Sequence, residues 1–382
     1  MLKKLSTLLI ICLVLITFCL APNHISLADE KSSEPKPSES KELTEEELAA
    51  RKELLEPEEA KELRERFLAL ANEVEITDKE VVFTDDTAPE GKEHRLPKSM
   101  DNVAVLYGSY TTLWYEAGGK ASYIVGGENI KTYEKAIGRD ISQDKDVTVV
   151  ADSNAANNWD VETIIAARPS LIICAQAMSG YATISGPAEA AGIEVICLEY
   201  DTFSDYLKWF KVFANLGGEP ELFDDLALKV LDEIILTILA CPEEEGPDVA
   251  VMFASPRDIT LNTKATNLGS MLLDLKAHNV VDDWDNPDGA KRLPVNLELL
   301  YKINPEKILF QTHTTAEKTQ AIIDENYADN PVWQELEAIK NDELYILDQN
   351  LFHRRPNARF AEAYKKLAQI LYPDIDFGLD IE

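Results

Sequence analysis

Cysteine is scarce in this 382-residue sequence, which has only five, and no two of them form a CxxC pair. Cys174 and Cys197 each end an apolar run typical of a strand, and Cys241 ends a long helical pattern. Such positions favour buried thiols over a redox pair or a cysteine metal site.

Motifs for the common enzymatic chemistries are missing as well. Ser109 is not surrounded by a GxSxG elbow, and the glycine turns VGGEN and LGGEP match neither a phosphate-binding loop nor GxGxxG. Carboxylates are so numerous in this chain that no catalytic pair stands out. An enzyme is therefore not expected, and no cofactor is predicted.

Positive charge is also in short supply, since 37 lysines and arginines against 69 aspartates and glutamates give a net charge of −32. Most of the excess lies after residue 75, in the body of the chain. Nucleic acid and anionic membrane surfaces are therefore poor partners, and a basic protein surface is a better one.

Residues 1–28 are typical of an export signal. Two lysines precede an apolar run from Leu5 to Leu20, and the small residues up to Ala28 suit cleavage there. An uncleaved or lipid-modified anchor is the alternative, although Phe18 is not the small residue that lipoprotein signals carry before cysteine. We expect an extracytoplasmic protein, either periplasmic or associated with the cell surface.

Residues 29–75 differ in composition from the rest of the chain. The segment opens with Ser, Pro, Glu and Lys, which are too polar to bury a core. It then becomes helical, with Thr44 and Glu47 spaced as a capping box and Pro57 dividing two short helices. We expect an acidic tether with short helices, and a partner-binding arm is the alternative.

Strand-like and helical stretches alternate from Glu80 onward, which favours parallel βαβ units. The strands are almost continuously apolar, as in sheets that helices cover on both faces. Residues 76–215 and residues 243–382 are each expected to form an α/β lobe around a mostly parallel sheet.

A short repeat supports the division into two lobes. Glu162 opens ETIIAARP, which precedes the strand-like SLIIC, and Glu298 opens ELLYKINP, which precedes EKILF. In both copies a glutamate begins a short helix and a proline follows seven residues later. Matching features in the two halves indicate a duplication.

The stretch between the lobes predicts one long helix from Pro220 to Cys241, within the segment 216–242. Acidic residues crowd its first turn, which suits the positive end of the helix dipole. We expect a rigid strut between the lobes, and an ordinary surface helix is the alternative. Apolar residues recur along one face at helical spacing: Phe223, Leu226, Ala227, Val230, Ile234 and Ile238.

From about Val81 to Pro373 the chain resembles ABC-transporter substrate-binding proteins for iron-siderophores, haem and cobalamin. The resemblance includes, in order, VVFTDD, EVICLEYDTFSDYLKWF, NLGSMLLDLKAHNVVDDW and NPVWQELEAIKNDELYILDQNLF. It implies two lobes that are joined by one rigid helix and that close little on ligand.

The function implied by this resemblance is solute binding for an ABC importer. The protein would capture an iron(III)-siderophore or haem-like complex between its lobes and deliver it to a permease, a transmembrane dimer with ATPase subunits. A monomer is expected. A cobalamin-binding protein is the alternative within the family, and a non-transport envelope scaffold is the alternative outside it.

The candidate binding residues follow strand ends, because ligands of open parallel sheets lie beyond the carboxyl ends of the strands. Their aromatic and cationic mixture suits a bulky ligand with flat rings and anionic groups. Trp114 could instead belong to the core, Arg355 could pair locally, and His313 could be a loop histidine. The first lobe contributes Ser109, Tyr110, Trp114, Gln176, Met178 and Tyr181. The second lobe contributes Arg257, His313, His353, Arg354 and Arg355.

Capture of a bare metal ion is not favoured. Such sites assemble several histidines and carboxylates, but of the five histidines only His313 and His353 fall at predicted cleft positions. These two histidines could instead contact haem or another metal complex.

The resemblance also implies that one exposed acidic residue on each lobe meets arginines of the permease. Glu162 and Glu298 occupy matching places and are the candidates. The alternative is that both only stabilise their helix N-termini.

Overall fold

A computed structural model gives the fold of the protein. The predicted export signal lies outside the described residues, and so do Gln176, Met178 and Arg354. No helix of the described residues is both long and apolar enough to cross a membrane. The structure describes residues 44–88, 90–126, 128–138, 140–141, 146–151, 159–175, 180–353 and 355–378.

The described chain begins with two helices and a small antiparallel sheet of three strands. Pro57 separates the helices, as predicted, and stands at the N-terminal cap of the second one. In chain order these elements are α1 (Glu45–Leu54), α2 (Glu58–Asn72), β1 (Glu75–Ile76), β2 (Glu80–Thr84) and β3 (Glu93–Pro97).

The first lobe alternates between strand and helix. In chain order its elements are β4 (Val103–Val105), α3 (Gly108–Glu116), β5 (Ala121–Val125), α4 (Glu128–Ile137), β6 (Thr148–Ala151), α5 (Val161–Ala166), β7 (Leu171–Ala175), α6 (Gly180–Ala191), β8 (Glu194–Leu198) and α7 (Phe203–Gly217). The strands form one parallel sheet of order β6-β5-β4-β7-β8, which confirms the predicted sheet. The strand order reverses between β4 and β7, and ligands bind at such a switch point in open α/β sheets.

The strand β7 is buried along its whole length, because helices cover both faces of the sheet. Cys174 on β7 and Cys197 on β8 lie side by side in this interior. Cys241 is also buried, and all three are free thiols. The prediction of buried cysteines is therefore confirmed.

The predicted strut is helical, but it is not uniform. α7 is followed at its C-terminal end by Gly218, whose φ of 86° stops the helix. A π-helical turn then covers Phe223–Ala227 and leads into α8 (Leu228–Ala240). Because a π-helical turn holds more residues than an α-helical one, it shifts the apolar face. Leu226, which we placed on that face, is 42% exposed.

The second lobe contains a mixed sheet of order β12-β10-β9-β13-β14, with the short β11 also paired to β9. β13 is parallel to β9 and to β14, whereas β10 is antiparallel to both β9 and β12. In chain order its elements are β9 (Asp248–Ala254), β10 (Ile259–Asn262), α9 (Asn267–Asp274), β11 (His278–Asn279), β12 (Arg292–Pro294), α10 (Leu297–Ile303), β13 (Lys307–Thr312), α11 (Ala316–Tyr327), α12 (Pro331–Gln334), α13 (Glu337–Lys340), β14 (Leu344–Ile346), α14 (Gln349–Phe352) and α15 (Phe360–Leu371).

One continuous core joins the two lobes. Successive residues of a strand face opposite sides of its sheet. Val103 of β4 and Val251 of β9 accordingly belong to the shared core. Their neighbours Ala104 and Ala250 face a separate outer core in each lobe. Buried residues of α7, α8 and α15 fill the shared core between the lobes.

The helix α2 packs into this shared core, whereas the sequence led us to expect a tether. Phe67 and Ala71 lie on one face of the helix and are buried. The ring of Phe67 lies 5.5 Å from that of Phe203 on α7, and Arg66 pairs with Asp274 of α9 at 2.8 Å. Acidic residues surround the few apolar positions, so composition alone conceals the packing face.

The duplicated helices α5 and α10 begin alike. Asp160 and Asn296 cap them, and each accepts a 3.0 Å hydrogen bond from the backbone N–H three residues further on. Glu162 and Glu298 therefore both occupy the second helical position, where both are exposed. Each helix leads into a buried parallel strand, so the repeat seen in the sequence is also a structural repeat.

Candidate ligand-binding site

The first-lobe side of the site lies at the switch point of the sheet. Tyr107 stands at the N-terminal cap of α3, directly beyond β4, and its ring lies 4.8 Å from that of Tyr110. Ser109 is half-buried, and its carbonyl accepts a 3.2 Å hydrogen bond from the side chain of Asn357 in the second lobe. The predicted strand end is thus in contact with the opposite lobe.

The second-lobe side is an aromatic and imidazole cluster at the carboxyl ends of β9 and β13. Phe253 lies 5.9 Å from His313 and 5.5 Å from His353, and the two imidazole rings are 5.7 Å apart. Arg292 lies over the Phe253 ring at 3.9 Å. Arg292 begins β12 and His353 directly follows α14. We call these four side chains the imidazole cluster.

Arg292 is the cation of the imidazole cluster, and no carboxylate of the described chain lies within ion-pair distance of it. Burial lowers the pKa of its guanidinium, although the charges of Asp258 and Asp201 oppose that effect. An arginine held over an aromatic ring beside a cleft can bind a carboxylate through two parallel hydrogen bonds.

Arg355 lies between the lobes, in a group of aromatic rings. Its guanidinium carbon is 5.6, 5.5 and 5.3 Å from the ring centres of Tyr107, Tyr110 and Tyr200. It also donates to the carbonyl of Tyr200 and pairs with Asp201 at 3.2 Å. Burial opposes its charge, but these tyrosines and Asp201 hold the pKa of Arg355 above its ordinary value.

A second cation crosses between the lobes nearby. Lys291, next in sequence to Arg292, contacts Glu199 and pairs with Asp201 at 2.5 Å. Both carboxylates follow β8, so they stand at a carboxyl strand end of the first lobe. Asp201 therefore holds two cations of the opposite lobe, Lys291 and Arg355.

Two predicted ligand residues lie in the core. Trp114 is fully buried with its ring 5.3 Å from that of Phe213, so the core alternative holds for it in this structure. Tyr110 is 1% exposed and its hydroxyl donates to the carbonyl of Leu198 at 3.0 Å. Both lie on α3 and belong to the shared core.

The other predicted residues are dispersed. His313 is exposed and His353 is half-buried, and the structure brings them together. Arg257 is exposed in the β9–β10 turn, where its backbone N–H donates to Ser255 at 3.2 Å. Tyr181 is half-buried and packs against the outer core of the first lobe.

Sequence reasoning missed several residues of the site. Phe253 is the last residue but one of β9 and was treated only as part of a buried strand, although the strand-end rule could have selected it. Lys291 and Arg292 follow a glycine turn that carries no strand pattern. The missed residues are Tyr107, Tyr200, Asp201, Phe253, Lys291 and Arg292.

Within the part of the chain that the structure describes, no group of three or more histidine, cysteine, aspartate or glutamate side chains is arranged to hold a metal ion. His313 and His353 provide two imidazoles. A metal bound beside them would have to bring most of its other ligands with it, as the iron of a chelate or a tetrapyrrole does.

The fold and the position of the site define a two-lobed solute-binding protein. The sequence profile of the periplasmic binding protein family matches residues 103–351, which is about two thirds of the chain. The chain belongs to this family. Its members are extracytoplasmic binding components of transport systems.

A curated relative is the high-affinity heme uptake system protein IsdE of Staphylococcus aureus (strain MRSA252). It is 24% identical over 135 residues, which are 35% of this chain and 45% of the relative. The match therefore spans less than half the length of that protein.

Three solved structures share the fold. An ABC transporter substrate-binding protein from Listeria monocytogenes has a TM-score of 0.58 at 21% identity and covers 72% of this chain and 100% of its own. IsdE of S. aureus complexed with heme has a TM-score of 0.56 at 16% identity, and the match covers 71% of this chain and 98% of IsdE. FeuA of Bacillus subtilis complexed with ferri-bacillibactin has a TM-score of 0.55 at 16% identity, and the match covers 74% of this chain and 96% of FeuA. These identities establish a common fold.

Proposed function

We propose that this protein is the extracytoplasmic solute-binding component of an ABC importer and that it binds a haem-like iron chelate between its lobes. The imidazole cluster carries this proposal. It combines the flat ring of Phe253, two imidazoles and Arg292, which has no carboxylate of the described residues within ion-pair distance, near the carboxyl ends of β9 and β13.

The two imidazoles favour a haem-like ligand over a ferric siderophore. The oxygens of a siderophore fill the coordination sphere of iron, whereas haem leaves axial positions open to protein ligands. His313 and His353 are close enough that one can bind iron while the other hydrogen-bonds nearby. The similarity to a protein named for heme uptake supports the same choice.

Arg292 also favours an anionic ligand, because Lys291 and Arg355 are paired with Glu199 and Asp201 whereas no carboxylate of the described residues lies within ion-pair distance of Arg292. The chain carries a net charge of −32, yet Lys291, Arg292 and Arg355 gather at the cleft. The carboxylates of haem suit such cations. Cobalamin carries mainly amide side chains and remains the alternative within the family.

A ligand titration tests the proposal. The purified protein is titrated with haem, a ferric siderophore and cobalamin, and haem binding is followed by the porphyrin absorption band. We expect saturable haem binding, and we expect His313→Ala to shift the band of bound haem and to weaken binding by about tenfold or more.

The matched control is His278→Ala. His278 pairs with Asp248 at 2.7 Å, at the opposite end of β9 from Phe253, so its loss should leave haem affinity and spectrum unchanged. No binding of any of the three ligands would overturn the proposed function. Cobalamin binding without haem binding would establish the alternative.

We further propose that Glu162 and Glu298 dock the protein onto the permease. Both occupy the second position of a capped helix, one on each lobe, and both are exposed. Asp160 and Asn296 already cap these helices, so the glutamates are not required as caps. Electrostatic complementarity with basic pockets would orient the complex.

Charge reversal tests the docking proposal. Glu162→Lys with Glu298→Lys should keep haem affinity and lower transport in reconstituted membranes. Glu317→Lys is the matched control, since Glu317 is also exposed at the second position of a helix, α11, outside the repeat. If the control and the double variant lower transport equally, the loss comes from charge reversal at a helix N-terminus and not from lost docking.

The division of the chain is also proposed, with an export signal at 1–28, a first lobe at 76–215, a linking helix at 216–242 and a second lobe at 243–382.

Because both lobes share one core with α7 and α8, we expect ligand to change their separation little. Distances between spin labels on the two lobes, with and without ligand, measure this directly. A closure of many ångströms would contradict it.

A further inference from the structure

Asp201 joins the lobes through two cations. Its Oδ2 lies 2.5 Å from Nζ of Lys291, and its Oδ1 lies 3.2 Å from a terminal nitrogen of Arg355. Asp201 follows β8 of the first lobe, whereas both cations belong to the second lobe. A single carboxylate therefore forms ion pairs with a lysine and an arginine at the same time.

These cations are close in sequence to residues of the imidazole cluster. Lys291 directly precedes Arg292, whose guanidinium lies over Phe253, and Arg355 follows His353 by two residues. A ligand bound against the cluster would bring its anionic groups to the same cations.

The ion pair between Asp201 and Lys291 is open to exchange, whereas Arg355 is only 19% exposed and also donates to the carbonyl of Tyr200. The side chains of Asp201 and Lys291 are 28% and 47% exposed. Exposed pairs contribute little net stability, because water and salt compete for both partners. Arg292, in contrast, has no carboxylate of the described residues within ion-pair distance, although Asp201 acts on it electrostatically.

We propose that Asp201 stands in for a carboxylate of the ligand, and that a carboxylate-bearing ligand displaces it from Lys291 and Arg355. This inference rests on the proposed function and adds the ligand group that the cleft selects. Each carboxylate oxygen of Asp201 contacts one of the two cations, and the carboxylate of a ligand can make the same two contacts. A neutral ligand cannot make this exchange and leaves the pairs of Asp201 in place.

The test uses two porphyrins that differ only in their carboxylates, haem and haem dimethyl ester. The full chain and the Asp201→Asn variant are each titrated with both. We expect Asp201→Asn to tighten haem binding by about three- to tenfold, because the competing carboxylate is gone. Binding of the ester should change less than twofold.

Two further variants sharpen the test. Lys291→Gln should weaken haem binding and leave ester binding unchanged, since it removes a partner of the incoming carboxylate. Asp258→Asn is the charge-matched control. It removes one negative charge near Arg292 but touches neither Lys291 nor Arg355, so its effect on haem should be clearly smaller.

The outcomes separate this inference from the function itself. If wild type binds neither porphyrin, the proposed haem function and the inference both fail. If haem binds but Asp201→Asn leaves it unchanged, or weakens both porphyrins, Asp201 is a structural bridge and the inference alone is overturned. Equal tightening of haem and ester would also overturn it. Melting curves confirm that each variant is folded.

Discussion

The contact between the lobes has two parts that differ in chemistry. At its base, Phe360 of α15 packs against Phe203 and Tyr206 of α7, with ring centres 5.2 and 5.5 Å away, and all three are buried. At its mouth, the exposed Lys291 pairs with Asp201. The base is apolar and closed to water, whereas the mouth is ionic and open to it.

This difference sets what each part can do. Burial of one large apolar side chain contributes roughly 1.5–3 kcal/mol, whereas an exposed ion pair contributes about 0.2–1 kcal/mol. The mouth can therefore exchange partners while the base holds the lobes together. Four changes test this contrast, from the largest expected effect to the smallest.

Phe360→Ala should break the base. The ring is fully buried among Tyr200, Phe203 and Tyr206, so its removal leaves a cavity in the shared core. We expect a loss of about 3–5 kcal/mol in the free energy of unfolding, measured by denaturant titration. Leu273→Ala removes a side chain that is 62% exposed and should cost far less. Similar losses for both would mean that the base is not a packed core.

Glu116 makes the stability of the apolar base of the lobe contact dependent on pH. Its Oε2 is shielded from solvent, and burial raises the pKa of this carboxyl from 4.5 to about 8, although the backbone N–H of Ala358 opposes the shift. The folded state thus retains a proton that the unfolded state releases, so stability should fall as pH rises from 4.5 to 8.

Glu116→Gln should remove this part of the pH dependence, because the amide does not titrate. Each unit of pKa shift corresponds to about 1.4 kcal/mol, so the difference between wild type and variant should grow by a few kcal/mol across the window. Denaturant midpoints at several pH values measure it. Parallel curves for the two proteins would show that Glu116 is ionised in the folded state.

The helix α2 adds a contact to the base from outside residues 103–351, which the family profile matches. Arg66 and the hydroxyl of Tyr364 both donate to Asp274, at 2.8 and 2.6 Å. Arg66→Met leaves the buried Asp274 with one donor fewer and should cost about 1–2 kcal/mol in unfolding free energy. Arg95→Met, which removes an exposed pair with Glu93, is the control and should change stability much less. Equal effects would indicate that α2 adds no anchor.

Lys291→Gln should affect stability least. The ion pairs at the mouth are exposed, so we expect a loss below about 1 kcal/mol that shrinks further in high salt. Thermal melting at low and high ionic strength checks this. A loss as large as that of Phe360→Ala would show that the mouth, and not the base, holds the lobes.

Much of the fold could be predicted from the sequence, because local pattern and tertiary structure agree there. The apolar runs that became β7 and β13 are buried on both faces, and the glutamate-to-proline repeat marks equivalent helices. The π-helical turn before α8 could not be predicted, since Leu226 fits a regular apolar face as well as its neighbours do. The packing of Phe67 depends on a partner helix far away in the chain.

The site was predicted only in part. The strand-end rule selected His313 and His353, whose rings lie 5.7 Å apart in the structure, because the rule depends on topology alone. It placed Trp114 wrongly in the cleft, since the direction of a side chain on α3 depends on the packing of that helix. The rule did not select Asp201, because one carboxylate among many in an acidic sequence gives no signal. Its two cationic partners lie far away in the sequence, in the second lobe.

The start of α7 determines how quickly the mouth can change partners. One carboxylate oxygen of Asp205 accepts hydrogen bonds from the backbone N–H groups of Asp201 and Thr202, at 3.0 and 2.8 Å, and Thr202 caps the helix in return. The backbone of Asp201 is therefore fixed, and only its side chain has to turn, a motion of picoseconds to nanoseconds. Ligand entry then follows the rate of encounter, and the residence time distinguishes one ligand from another.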